Sequence, residues 1–141
     1  MSNNLFIDTD IILDIVLNRE AFFEDSSAIF RQFENGKLLL FTSPSIIINA
    51  QYTGQRLIAK EKCRSTIKYL LNYFIILEAN ISIIKKAYQS GFSDTEDAIQ
   101  YYTATQDDKI NYFITRNIKD FKSGKENLSV ISPSQFLKLS K

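Results

Sequence analysis

The sequence predicts an α/β domain, a three-layer α/β/α sandwich with a central, mainly parallel sheet of four or five strands. Three observations carry this expectation. Short apolar runs alternate with longer stretches of helical periodicity, which implies right-handed β-α-β units. Most of the helical stretches open on a Ser, an Asp or a Ser-Pro pair, the residues that cap helices. The chain has 141 residues, enough for one domain spanning 1–141 with a single core, and it shows no repeat or linker.

The elements follow in order. Leu5-Phe6-Ile7 reads as a buried strand that ends at Asp8. Asp8-Thr9-Asp10 can cap a short, well-buried helix carrying Ile11, Ile12, Leu13, Ile15, Val16 and Leu17. Asp25 or Ser26 opens a second helix, with Ile29, Phe30 and Phe33 on one face, and Asn35-Gly36 stops it. Lys37 to Phe41 is the second strand. Ser43 caps the next helix and Pro44 occupies its first turn. That helix is expected to run through Ile46, Ile47, Ala50 and Leu57, weakened at Gly54. Residues 60–71 form another helix, Tyr73 to Leu77 a third strand, and residues 81–89 a further helix. Ser93 is expected to cap a helix from about Asp94 to Asp107. Tyr112 to Thr115 is the fourth strand, Lys122 to Asn127 a polar loop, and Ser129 to Ile131 the fifth strand. Ser132-Pro133 then opens a terminal helix with Phe136, Leu137 and Leu139 facing inward.

Composition excludes several chemistries. There is no histidine, so a His-based triad, a His-ligated zinc and a His proton shuttle are all ruled out. The single Cys63 can form neither an intrachain disulfide nor a paired-cysteine site, which fits a reducing cytoplasm. No leader peptide is evident, and no apolar run approaches the ~20 residues needed to span a bilayer. With a formal net charge of +1, the chain has no global field to draw in a polyanion, so any nucleic-acid binding must rest on local patches.

In open α/β sheets, ligands bind outside the carboxyl ends of the strands. The first strand ends at Asp8, followed by Thr9 and Asp10. The fourth ends at Thr115, followed by Arg116, Asn117 and Asp120. The preceding helix starts Asp94-Thr95-Glu96-Asp97, and a spacing of three puts Asp94 and Asp97 on one face. Each acid alone has an ordinary structural role as a cap, a dipole partner or a turn residue. Their convergence from three segments on one sheet edge points instead to a hard cation, Mg²⁺ or Mn²⁺, and to metal-assisted phosphodiester hydrolysis.

Four segments resemble the PIN-domain family, the fold of many toxin–antitoxin endoribonucleases. They are Phe6 to Asp14, Thr42-Ser43-Pro44 to Gln51, Asp94 to Ala98, and Thr115-Arg116-Asn117 through Asp120-Phe121. A receiver domain, also α/β with clustered Asp, lacks support because no Lys follows a late strand in the expected way. By resemblance, Asp8 matches the first metal-binding acid and Asp97 the third. The second, usually a Glu, falls on Asn49, and no acid occurs between Phe41 and Lys60. The fourth falls on Asn117, with Asp120 close behind. The resemblance thus implies a metal and catalytic set of Asp8, Asp97, Asp94 and Asp120, with Thr9, Asn49, Thr115 and Asn117 lining the site. Arg56, Lys60, Arg64, Arg116 and Lys119 are the candidate RNA contacts, set against a plain solvated helix face for the run from 56 to 68. Tyr52, Tyr101 and Tyr102 could stack on bases, though tyrosines at helical spacing more often fill a core. Asn18 and Arg19 read as solvated helix-end residues. Two function classes remain open. One is a metal-dependent endoribonuclease, the toxin of a toxin–antitoxin pair, with RNA, a small antitoxin and a homodimer as the partners it allows. The other is a catalytically weakened module that binds RNA or a protein partner.

Overall fold

The computed structural model describes residues 3–124 and 128–140. Among them, five strands form one sheet in the order β3-β2-β1-β4-β5, and every neighbouring pair is parallel. The strands are β1 (Asn3–Ile7), β2 (Leu38–Thr42), β3 (Phe74–Ile76), β4 (Tyr112–Ile114) and β5 (Ser129–Ile131). The helices are α1 (Thr9–Val16), α2 (Phe23–Glu34), α3 (Pro44–Gly54), α4 (Lys60–Leu70), α5 (Ile81–Tyr88), α6 (Thr95–Thr105) and α7 (Pro133–Leu139). The parallel α/β expectation is met. No helix among the described residues is long and apolar enough to cross a membrane.

β1 is central because it is apolar on both faces. Leu5, Phe6 and Ile7 are all fully buried, and the Phe6 ring stacks on Phe113 of β4 at 5.2 Å. The edge strand β3 is only half covered, as the partial exposure of Ile75 and Ile76 shows. The chain leaves β1 toward β2 on one side, and β4 lies on the other. The topological switch point therefore falls between the carboxyl ends of β1 and β4, where α/β sheets open a crevice.

Several element boundaries differ from the sequence reading, each for a physical reason. α2 starts before Asp25 and Ser26, with no side-chain cap, because Ser26 is buried and donates its hydroxyl to Asp14 at 2.8 Å. α3 is capped by Ser43, which accepts from Ile46 N–H, but it ends at Gly54. Leu57 thus lies beyond it and is exposed. Gly54 is more than a weak point: a Cβ there would stand 2.6 Å from Cys63 Sγ and 3.4 Å from Val16, so the missing side chain lets α3 close on α4 and α1. Asp94, not Ser93, caps α6 by accepting from Asp97 N–H at 2.9 Å. The terminal helix has a reciprocal cap between Ser132 and Gln135. Phe136 is buried there as expected, whereas Leu139 points out to solvent. Part of the polar loop expected at 122–127 lies outside the described residues.

Candidate active site

Asp8 sits where β1 passes into α1. Its backbone N–H donates to Ile114 of β4 at 3.1 Å, and its Oδ1 accepts from Thr9 N–H at 2.8 Å. The carboxyl caps α1 and is held almost out of solvent at the switch point. Burial pushes its pKa up to about 7, with the negative charge of Asp10 adding to the rise and the Thr9 and Thr115 donors opposing it.

Asp10, in the first turn of α1, braces the end of β4. Its Oδ2 accepts from Arg116 N–H at 2.8 Å and lies 3.3 Å from the Thr115 hydroxyl. Burial raises the pKa of Asp10 as well, against the pull of the Arg116 donor. Thr115 is fully buried, and its Oγ1 also accepts from Asn117 N–H at 3.1 Å. The hydroxyl therefore links α1 to the Thr-Arg-Asn turn and shapes the rim of the site.

α6 brings in the other acids. Asp97 lies in its first turn, and its pKa is pushed up to about 6, chiefly by burial and then by the charges of Asp94, Asp120, Glu96 and Asp10. Glu96 beside it accepts a hydrogen bond of 2.6 Å from the Asn49 side-chain amide of α3. Together these residues bound an open pocket of about 490 Å³, lined by Asp8, Thr9, Asp10, Leu13, Arg19, Asn49, Thr53, Glu96, Asp97 and Asn117. A second, more apolar groove of about 510 Å³ adjoins it and shares Glu96.

The structure thus gathers Asp8, Thr9, Asn49, Asp97 and Asn117 around one pocket and places Thr115 directly behind it. It does not bring Asp94 or Asp120 to the pocket wall. Asp94 is spent on the α6 cap, and Asp120 is exposed in the 3₁₀ turn Ile118–Phe121, acting on Asp97 through its charge alone. Arg116 is also not an open cation. Its Nη2 and Nε donate to the two oxygens of fully buried Asp14 at 2.7 and 3.1 Å, and its guanidinium lies 3.7 Å over the Phe22 ring. Arg56, Lys60, Arg64 and Lys119 are exposed and outside the pocket. Tyr101 and Tyr102 are core residues, and Tyr52 is exposed.

Three charged pocket residues lie outside the site set expected from the sequence. Asp10 is placed by the sequence beside Asp8 at the strand edge and also reads as a possible cap, but is not among the expected metal-binding acids. Arg19, read as solvated, lines the pocket and lies 3.6 Å from Asp14. Glu96 had a signal, its place beside Asp97, but its contact with Asn49 joins residues 47 positions apart.

The groups around the pocket that could ligate an ion are carboxylate, amide and hydroxyl oxygens, with the Arg19 guanidinium also on the lining. That set fits a hard divalent cation, whose charge would relieve the burial and repulsion that hold Asp8 and Asp97 high. Among the described residues no three acidic or Cys side chains are placed to share an ion directly.

A family profile described as PIN domain matches residues 4–119. The chain is 28% identical over 140 residues to "Ribonuclease VapC1" of Aquifex aeolicus, covering 96% of this chain and 94% of that protein. Its fold is similar to that of the Mycobacterium tuberculosis sarcin–ricin loop-cleaving toxin VapC20, with a TM-score of 0.67 at 10% identity, over 88% of this chain and 98% of that one. It is likewise similar to a chain of a toxin–antitoxin complex from Klebsiella pneumoniae, with a TM-score of 0.66 at 21% identity, over 92% and 97% of the two chains.

Proposed function

The chain belongs to the PIN-domain family, and from that premise we propose that it is an endoribonuclease that uses Mg²⁺ or Mn²⁺ to hydrolyse RNA phosphodiesters. The observation that carries the reading is the pair Asp8 and Asp97, two carboxylates that line one pocket and are held well above their ordinary range. The names of similar proteins point the same way, one being a ribonuclease and another a sarcin–ricin loop-cleaving toxin.

In this reading Asp8 and Asp97 hold the cation, and Asn49 and Asn117 complete the wall. A bound divalent cation supplies charge neutralisation at the phosphate and activation of water. Asp10 and Thr115 keep the Thr-Arg-Asn turn in register with α1, so that the two carboxylates keep their separation. The exposed cations Arg56, Lys60, Arg64 and Lys119 would meet the RNA backbone without reading sequence, and such contacts weaken with salt. The protein would work in the cytoplasm as the toxin of a pair, with a small antitoxin covering the pocket and a second copy of the chain as a further partner. A toxin–antitoxin complex among the similar structures supports the pairing with an antitoxin.

One observation favours the second reading, a weakened module that binds without turnover. α3 carries Asn49 where the family resemblance leads one to expect an acid. Cleavage of a labelled single-stranded RNA pool in Mn²⁺ or Mg²⁺ separates the two. The nuclease reading expects cleavage by the native chain and none by Asp8→Asn. Equal activity in the two proteins would refute it, and binding without cleavage would establish the module.

A further inference from the structure

We infer that Glu96, held in place by Asn49, takes over the cation-facing role of the acid missing from α3. This rests on the cation reading above and names a ligand-side residue that the family pattern does not supply. The helix α3 offers no carboxylate to the pocket, because no acid lies between Phe41 and Lys60. Yet its Asn49 does not face the pocket idle. Its amide nitrogen donates to Glu96 Oε1 at 2.6 Å, across from α3 to α6, and both side chains line the same pocket.

An exposed Glu in the first turn of a helix ordinarily waves in water beside the helix dipole. Glu96 does not. The Asn49 contact fixes its rotamer and turns it toward the pocket. The partner is a neutral amide, and among the described residues no cation forms an ion pair with Glu96. One oxygen is used by Asn49, leaving the other for water or an ion. Asn49 is thus a positioning residue, acting through Glu96. The charge the pocket lacks on α3 is restored from α6.

Calorimetric titration of the full chain with Mn²⁺ tests this, with thermal melts to confirm that each variant folds. Glu96→Gln is expected to weaken Mn²⁺ by about tenfold or more, the scale of removing a residue that orients a metal shell. Glu61→Gln, which removes the same charge from the exposed face of α4, should leave the affinity within about twofold. Asn49→Ala should weaken it several-fold, and the double variant Asn49→Ala/Glu96→Gln should be no weaker than Glu96→Gln alone. An affinity for Glu96→Gln equal to that of Glu61→Gln overturns the inference, as do independent, multiplying effects of the two substitutions. Asp8→Asn distinguishes the levels. If it abolishes Mn²⁺ binding while Glu96→Gln does not weaken it, only the role of Glu96 falls. If the native chain binds no Mn²⁺, or Asp8→Asn binds it equally well, the cation reading falls and takes the role of Glu96 with it.

Discussion

Asp8→Asn should make the cation-free protein more stable near neutral pH while removing its activity. Asp8 has an ordinary value of 3.8 and is pushed up to about 7 by burial and by Asp10. A carboxyl whose pKa rises on folding holds its proton more tightly in the native state than in the unfolded chain. The stability it contributes is fully present below about 3.8 and is lost as the pH climbs through about 7. Carrying that charge in the folded protein at neutral pH costs at most about 4 kcal/mol, and sharing of the effect with Asp10 lowers the expected value to about 2–4 kcal/mol. Asn removes the charge but keeps the cap, since its side-chain oxygen still accepts from Thr9 N–H and Asn ranks with Asp at this position. For a domain of this length the gain corresponds to a Tm increase on the order of 10 °C. The assay is thermal unfolding in EDTA at about pH 5 and about pH 7.5. Wild type should lose Tm between the two, and Asp8→Asn should lose much less, so that the variant is the more stable at the higher pH. Adding Mn²⁺ at the higher pH should raise the Tm of wild type only, because a ligand stabilises the state that binds it. A variant less stable than wild type at the higher pH, or one with the same pH slope, would refute the reasoning that the pocket stores repulsion and desolvation for a cation to relieve.

Two further predictions concern the scaffold. Arg116→Ala takes the two-pronged partner from the buried Asp14 carboxylate, leaving it the Ser26 hydroxyl and Arg19 at 3.6 Å, and should cost about 2–4 kcal/mol in urea unfolding, with Arg116→Lys recovering only part of it because an ammonium lacks the planar fork that meets both Asp14 oxygens. An unchanged midpoint for Arg116→Ala would show that Arg116 is free after all. Gly54→Ala should destabilise by about 1–3 kcal/mol through its clash with Cys63, and combining it with Cys63→Ala should be less costly than the sum of the two single changes. Strict additivity in the same unfolding assay would remove Cys63 as the obstacle.

Much of this molecule is readable along the chain. The alternation of apolar runs with capped, periodic stretches determines a parallel sheet, since parallel strands need helical crossovers and right-handed ones leave few topologies. Leu5-Phe6-Ile7 declares a strand buried on both faces, and Ser43-Pro44 declares a helix start, because these are local consequences of periodicity and capping. The strand-end rule then brings Asp8, Asp97 and Asn117 to one edge without any coordinates. What local pattern could not decide is which of several equivalent acids and bases is used where. Asp94 and Asp97 share a helix face, but only packing shows that the first is consumed by the cap and the second faces the pocket. Arg116 reads as a surface cation beside the site until the fold delivers Asp14 and Phe22 to it. The contact between Asn49 and Glu96 joins two helices far apart in sequence. The sequence alone determines the periodicities and the inventory of charges. The tertiary structure alone decides their pairing, because burial and distance, not order along the chain, determine which carboxylate finds a donor and which is left to wait for a cation.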